Sequence, residues 1–238
     1  MDYRDSHKAP AKGAEYHAKF SANPYRAFMW EREKEVLDQI VGCYHQPPID
    51  HLDFACGTGR IVEHLQKFAR TSVGVDVSDS MLGVARERLS GVTLTNADIT
   101  KDEAALGDRT FDLVTAFRFF PNAQDELRDE AMRAIVSRLR PGGTLVFNNH
   151  KQHSSLIFRI GRTAGRKDLH EMRAREVDRL LARHGLACVT RHHVGVIPAT
   201  ERYRVAPMWA IRPIERLCSG IASLRPLASN VIYVCKRA

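Results

Sequence analysis

The stretch Leu52-Asp53-Phe54-Ala55-Cys56-Gly57-Thr58-Gly59-Arg60 (LDFACGTGR, 52–60) decides the fold. IDHLDFA (49–55) reads as a buried strand that ends in a Gly-x-Gly turn. RIVEHLQKFA (60–69) follows, with Ile61, Leu65 and Phe68 on one helical stripe. Glycine lets the backbone turn sharply and approach a ligand, and the first turn of the helix offers N–H groups with no partner of their own. The next strand, TSVGVDV (71–77), ends near Asp76, 19 residues after Gly57. There a carboxylate can accept hydrogen bonds from ribose hydroxyls. A dinucleotide fingerprint would place a third glycine at position 62, where Val62 stands, so the turn is a poor pyrophosphate site. Asp53 points the same way, because a carboxylate repels phosphate and favours an ammonium group.

Downstream of this unit the pattern repeats. Ser78 suits the N-cap of a helix that turns Met81, Leu82, Ala85 and Leu89 inward. VTLTNAD (92–98) and FDLVTAF (111–117) read as strands, 124–140 as a helix, and TLVFNNH (144–150) as a strand after Pro141-Gly142-Gly143. A helix over 170–185, a strand over 186–197 and a strand over 230–237 continue it less cleanly. Strands alternating with helices at this spacing predict an α/β, doubly wound, mostly parallel seven-stranded sheet. Upstream, Tyr25–Val41 fits a helix, with Gly42 as its stop. The expected organisation is a flexible tail at 1–14 followed by one domain over 15–238. Within it lie an N-terminal helical lid (15–48), a cofactor-binding core (49–150) and a substrate-side part (151–238) with an insertion at 198–229.

The 238 residues, 44% apolar and 27% charged, suffice for one packed domain and exclude disorder throughout. No apolar run approaches a membrane span, and the N-terminal residues lack a secretory core, so a cytoplasmic protein is expected. Five scattered cysteines without a CxxC pair argue against a disulfide framework and against a metal site.

The same residues carry a family resemblance. LDFACGTGR resembles the first motif of the class I S-adenosylmethionine-dependent methyltransferases, VGVDVSDSML (73–82) the second and NADI (96–99) the third. FDLVTAFRFF (111–120) is similar to the fourth, and LRPGGTLVF (139–147) to the turn and strand after it. Ala55 departs from the pattern, which has glycine there. The resemblance implies the Rossmann-like methyltransferase fold and S-adenosyl-L-methionine as cofactor. It implies that Asp53 and the backbone of Ala55, Gly57 and Gly59 hold the methionine moiety, and that Asp76 binds the ribose. It further implies that Val77 and Met81 wall the adenine, that Asp98 accepts from its amino group and that Ile99 stacks on it. Phe117 would close the pocket beside the sulfonium, and Tyr16 would touch the cofactor from the lid.

Methyl transfer needs chiefly an aligned nucleophile, and a hydroxyl acceptor needs a base as well. Arg118, His150 and His153 stand at the carboxyl ends of the fourth and fifth strands, where doubly wound folds bind ligands. His150 is the first choice of base and His153 the second, while Arg118 suits clamping a carboxylate or phosphate.

Charge qualifies the acceptor. Residues 1–150 hold 19 Lys+Arg against 22 Asp+Glu, and 151–238 hold 17 against 6, a net of −3 against +11. An anionic small-molecule acceptor, methylated on oxygen or nitrogen, is therefore expected. The stretch after the fourth strand, Arg118-Phe119-Phe120-Pro121-Asn122, does not match amino-methylating DNA enzymes, and no cysteine follows a proline as in C5-cytosine enzymes. Nucleic acid is disfavoured on these grounds, and the intact Gly57-Thr58-Gly59 turn with Asp76 and Asp98 disfavours a binding protein without catalysis. Ile214, Leu217, Cys218, Ile221 and Leu224 form a stripe flanked by Arg212, Arg216 and Arg225, with Trp209 upstream. This 209–225 segment gives the alternative, a lipid- or saccharide-linked acceptor met at a membrane surface.

Overall fold

The computed structural model of the chain, described over residues 3–5, 9, 12–165, 171–200 and 206–237, is built on one seven-stranded sheet. Its strands are β1 (Ile49–Phe54), β2 (Ala69–Asp76), β3 (Thr93–Asn96), β4 (Phe111–Ala116), β5 (Leu139–Asn149), β6 (Leu186–Val194) and β7 (Asn230–Arg237). They lie in the order β3-β2-β1-β4-β5-β7-β6. All pairs from β3 to β5 are parallel, and β7 runs antiparallel to both β5 and β6. The doubly wound, mostly parallel sheet read from the sequence is therefore present.

Among the described residues eight α-helices surround it: α1 (Lys12–Ala22), α2 (Pro24–Tyr44), α3 (Arg60–Leu65), α4 (Asp79–Arg88), α5 (Asp125–Arg138), α6 (Leu156–Thr163), α7 (Ala174–Arg183) and α8 (Met208–Gly220). Alternation along the strands divides the core between two faces. Val231, Tyr233 and Cys235 of β7 join the cluster that Leu127, Ile135 and Leu180 bring from α5 and α7. Ile232 and Val234 join Leu37, Ile40 and Leu65 from α2 and α3 on the other face.

Local signals explain several boundaries. Asn23 Oδ1 accepts from the amides of Tyr25 at 3.0 Å and Arg26 at 3.1 Å, and Pro24 supplies the fixed φ of a first helical position. Ser78 caps α4 by accepting from Met81 N at 3.3 Å, as its sequence position suggests. Gly42, read as a stop, is passed, and α2 runs on to Tyr44. The expected helix over 170–185 is shorter, and it opens where Glu176 accepts from Arg173 N at 2.8 Å. His170, residues 1–2, 6–8, 10 and 11 of the expected tail, and 201–205 of the expected insertion lie outside the described residues.

One expectation is corrected. Tyr3–Asp5, assigned to a loose tail, form a 3-10 turn seated on the domain: Tyr3 N donates to Gln124 Oε1 at 3.3 Å, and the Tyr3 ring meets Phe119 edge to face. Ile214 and Leu217 of α8 and Ile221 just after it, members of the expected apolar stripe, face solvent, while Ile211 and Glu215 face the protein. The order of strands also fixes where a ligand can sit. The sheet reverses its winding between β1 and β4, so their carboxyl ends part and open a crevice.

Candidate active site

That crevice is a cavity of about 360 Å³ above the carboxyl ends of β1 to β5. Of the sequence-predicted residues, Tyr16, Asp53, Ala55, Gly57, Asp76, Val77, Met81, Asp98, Ile99, Phe117, Arg118 and His150 all line it. Gly59 and His153 do not.

The turn after β1 is held by backbone geometry. Ala55, Gly57 and Gly59 have φ of 54°, 56° and 80°, the left-handed region that glycine enters without a steric cost. Cys56 N donates to Val75 O and Gly59 N to Cys56 O, each at 3.0 Å, and the coil is thereby tied to β2. A side chain on Gly57 would meet open space, whereas a Cβ on Gly59 would lie 2.6 Å from Leu89 Cδ1. Gly59 thus serves the close packing of the turn on α4 instead of facing the cavity, contrary to its expected contact with a ligand.

Three carboxylates stand around this turn in different electrostatic states. Asp76 accepts from Gly57 N through Oδ2 and from Ser78 N through Oδ1, each at 2.8 Å. Burial raises its pKa and these amides counter the rise. Asp53 accepts from Thr115 Oγ1 at 2.7 Å through Oδ1, while Oδ2 is buried without a hydrogen bond. Burial lifts its carboxyl to about 7. His51 fixes this arrangement from below, its Nε2 lying 2.8 Å from Thr115 Oγ1. Its own pKa falls to about 3 through burial, so the ring is neutral and donates to Thr115. Asp98 is occupied: Oδ2 accepts from Arg4 Nε at 2.7 Å, and Oδ1 from Thr100 N at 3.1 Å and Thr100 Oγ1 at 2.6 Å.

Arg60, the first residue of α3, is a cavity residue that the sequence pattern does not single out. Its guanidinium carbon lies 3.7 Å from the Phe20 ring centroid and 4.9 Å from that of Trp30, so rings from α1 and α2 hold it by cation–π contact. Nη1 is buried without a partner, and burial lowers the pKa. The cavity wall therefore carries an unsatisfied carboxylate oxygen on Asp53 and an unsatisfied guanidinium nitrogen on Arg60. Buried polar atoms are rarely left unpaired, so two of opposite charge on one cavity fit a zwitterionic ligand end.

The opposite wall of the cavity is built from longer-range contacts. Arg118 follows β4 with φ +60°, a conformation costly for a non-glycine residue. Its amide donates to Asn148 Oδ1 at 2.6 Å, and its carbonyl accepts from Asn122 Nδ2 at 2.6 Å and from the Tyr3 hydroxyl at 3.4 Å. Asn148 Nδ2 donates to Asn230 Oδ1 at 3.0 Å, and Asn230 Nδ2 to Glu33 Oε1 at 2.8 Å. A buried polar chain thus runs from the cavity across β5 and β7 to α2. His150 lines the cavity with Nδ1 unpaired. Burial first, then the charges of Arg118 and Lys151, hold its pKa well below the ordinary imidazole value. His153 instead pairs through Nδ1 with Glu171, which also binds Arg162. The turn after β5 carries it away from the cavity, so its expected role as a base is withdrawn. Tyr16 lines the cavity and Tyr25 does not.

Comparison with known proteins agrees with this geometry. Residues 52–143 match a family described as a methyltransferase domain. The trans-aconitate 2-methyltransferase of Rhodopseudomonas palustris is 32% identical over 130 residues, 54% of this chain and 49% of that protein. The dTDP-3-amino-3,4,6-trideoxy-alpha-D-glucopyranose N,N-dimethyltransferase of Streptomyces venezuelae is 31% identical over 126 residues, 48% of this chain and 52% of that protein. The chain spans about half the length of the curated relatives it matches. The magnesium protoporphyrin IX methyltransferase of Synechocystis PCC 6803, solved with bound SAH, shares the fold at a TM-score of 0.62 and 15% identity, over 90% of this chain and 85% of that one.

Proposed function

We propose that this chain, a member of the class I S-adenosylmethionine-dependent methyltransferase family through its core at 52–143, transfers a methyl group to an oxygen or nitrogen of a small anionic molecule. The observation that carries the reading is the pair of unsatisfied, buried, oppositely charged atoms, Asp53 Oδ2 and Arg60 Nη1, on the cavity beside the Gly57 turn. S-adenosylmethionine ends in an ammonium and a carboxylate, which suit those two atoms, and its sulfonium supplies an activated methyl. In this reading Asp76 would take the ribose hydroxyls, Val77, Met81 and Ile99 the adenine faces, and Phe117 the wall beside the methyl; all of them line the cavity. Asp98 can reach the adenine end only with Arg4 on its Oδ2.

The rest of the chemistry belongs to this chain. The tied backbone of Arg118 sets the wall against which an acceptor aligns, and its guanidinium supplies charge for a carboxylate or phosphate. His150 is neutral at physiological pH, so Nδ1 can take the proton an acceptor hydroxyl or ammonium releases. No helix among the described residues is long and apolar enough to cross a membrane.

Calorimetry tests the cofactor. S-adenosylhomocysteine should bind, NAD should bind far more weakly, and Asp76→Ala should weaken binding about 10- to 100-fold, the loss of one or two charged hydrogen bonds. Equal affinity for NAD overturns the reading. Transfer of labelled methyl to pooled carboxylates and phosphates, but not to neutral analogues, tests the acceptor class.

A further inference from the structure

We infer that α8 is a membrane-docking face that seats the protein on an anionic lipid surface. This inference rests on the surface of α8 and does not depend on the methyltransferase reading. One side of the helix is clamped to the domain. The Glu215 carboxylate, 1% exposed, accepts from the backbone amides of Gly195 at 2.7 Å, Val196 at 3.0 Å and Ile197 at 2.8 Å, and from Ser219 Oγ at 2.9 Å. The opposite side is apolar and open: Trp209 is 78% exposed, Leu217 69%, Ile214 48% and Ile221 41%. At about 100° per residue Trp209, Ile214 and Leu217 share one arc of α8, with Ile221 directly after its end, and Ile211 and Glu215 share the other.

The border of that arc is cationic. Arg212 and Arg225 are exposed, and Arg216 reaches across to Glu35 of α2 at 3.2 Å. From 206 to 237 the one carboxylate side chain is Glu215, and it is consumed inside. Apolar residues with a tryptophan, bordered by arginines without exposed acids of their own segment, suit acyl chains beneath anionic headgroups. A two-fold pairing of the same face would set Arg212 and Arg216 of one copy against those of the other without an exposed carboxylate on either helix, which disfavours a second copy as the occupant. The helix lies in the interface and does not cross it, being 13 residues long.

Co-sedimentation of the full chain with phosphatidylcholine vesicles, with and without phosphatidylglycerol, decides the matter. Binding is expected only to the anionic vesicles, with a blue shift of tryptophan emission and release by salt. Trp209→Ser with Leu217→Ser should abolish it while circular dichroism is unchanged. Arg212→Gln and Arg225→Gln should each weaken it about fivefold. Binding to neither vesicle, or equally to both, overturns the inference. So does light scattering that shows a dimer which the Trp209→Ser, Leu217→Ser variant turns into monomer, since the face then belongs to a second copy.

Discussion

The cofactor side and the acceptor side of the cavity are made by different means. Around Gly57, the site is carried by local backbone: φ angles of 54° to 80° and carboxylates at the ends of β1 and β2. Around Arg118, the turn is held by side chains from far along the chain, Asn230 and Glu33 through Asn148, and Tyr3. A site made of backbone needs particular residues at fixed spacings and leaves a motif. A site made of long-range support leaves almost none.

The sharpest way to break this division is at His150. If it acts only on the acceptor, His150→Ala should lower kcat about 10²- to 10⁴-fold and leave the affinity for S-adenosylhomocysteine within about twofold. A parallel loss of cofactor affinity would show that the two sides are one site.

Arg60 tests the other side. Arg60→Met should keep the stacking between Phe20 and Trp30 in part but remove the charge, and cofactor affinity should fall about 10- to 100-fold. Because a thioether nucleoside without the amino-acid end has nothing for Arg60 to hold, 5′-methylthioadenosine should bind the variant and the parent alike. Calorimetry with both ligands separates the contact from a general collapse of the wall.

Asp53 makes the cofactor side depend on pH. Its carboxyl titrates at about 7 in the free protein, and an ammonium favours the ionised form. Affinity should therefore rise severalfold from pH 6 to pH 7.5 and level off above, and Asp53→Asn should flatten that slope. The effect on stability has the opposite sign. A carboxyl raised on folding keeps its proton from about pH 4 to 7 while the unfolded chain has lost its own, so stability should decline across that interval. Urea denaturation of parent and Asp53→Asn across pH 5 to 8 measures the difference. His51, held near 3, and His150, held well below the usual imidazole range, stay neutral in the folded protein while the unfolded chain protonates its histidines below about pH 6.5, so they tilt stability the other way, and only the difference between parent and Asp53→Asn isolates the carboxyl.

The smallest effect is expected at Ala55, which holds a left-handed φ where related turns have glycine. The strain of about 1–2 kcal/mol exceeds the backbone entropy that glycine loses, so Ala55→Gly should stabilise the fold by about 0.5–1 kcal/mol with cofactor affinity little changed.

What was legible in the sequence follows the same division. The strands and helices from 49 to 150 were readable because apolar period and turn residues agree with tertiary structure there. Asp53, Gly57, Asp76 and Asp98 were readable because each ends a strand or its turn. Arg60 stood in plain view, but nothing local says that Phe20 and Trp30 will cover it. Tyr3 and Arg4 lie in a polar, unpatterned stretch, and only the folded domain presents Phe119, Asp98 and Glu130 to them. His153 shows the converse error: three residues from His150, it is carried by a turn to Glu171, because proximity along a loop does not set direction. In α8, the apolar stripe signalled the helix, but nothing local says that Glu215, which accepts from three amides of the segment after β6, is what fastens it to the domain.

The place of β7 between β5 and β6 bears on the order in which the protein can be made. Strands β1 to β5 find their neighbours among segments already synthesised, so the cofactor side can assemble while the ribosome is still at work. β6 emerges with no neighbour in the sheet and waits for β7, more than thirty residues later, to join it to β5. Asn230 is the first residue of that strand, and through Asn148 it also fixes the left-handed turn at Arg118. The acceptor wall therefore takes its final shape only after β7 is made, and until then a nascent chain has the cofactor turn without a place to align an acceptor.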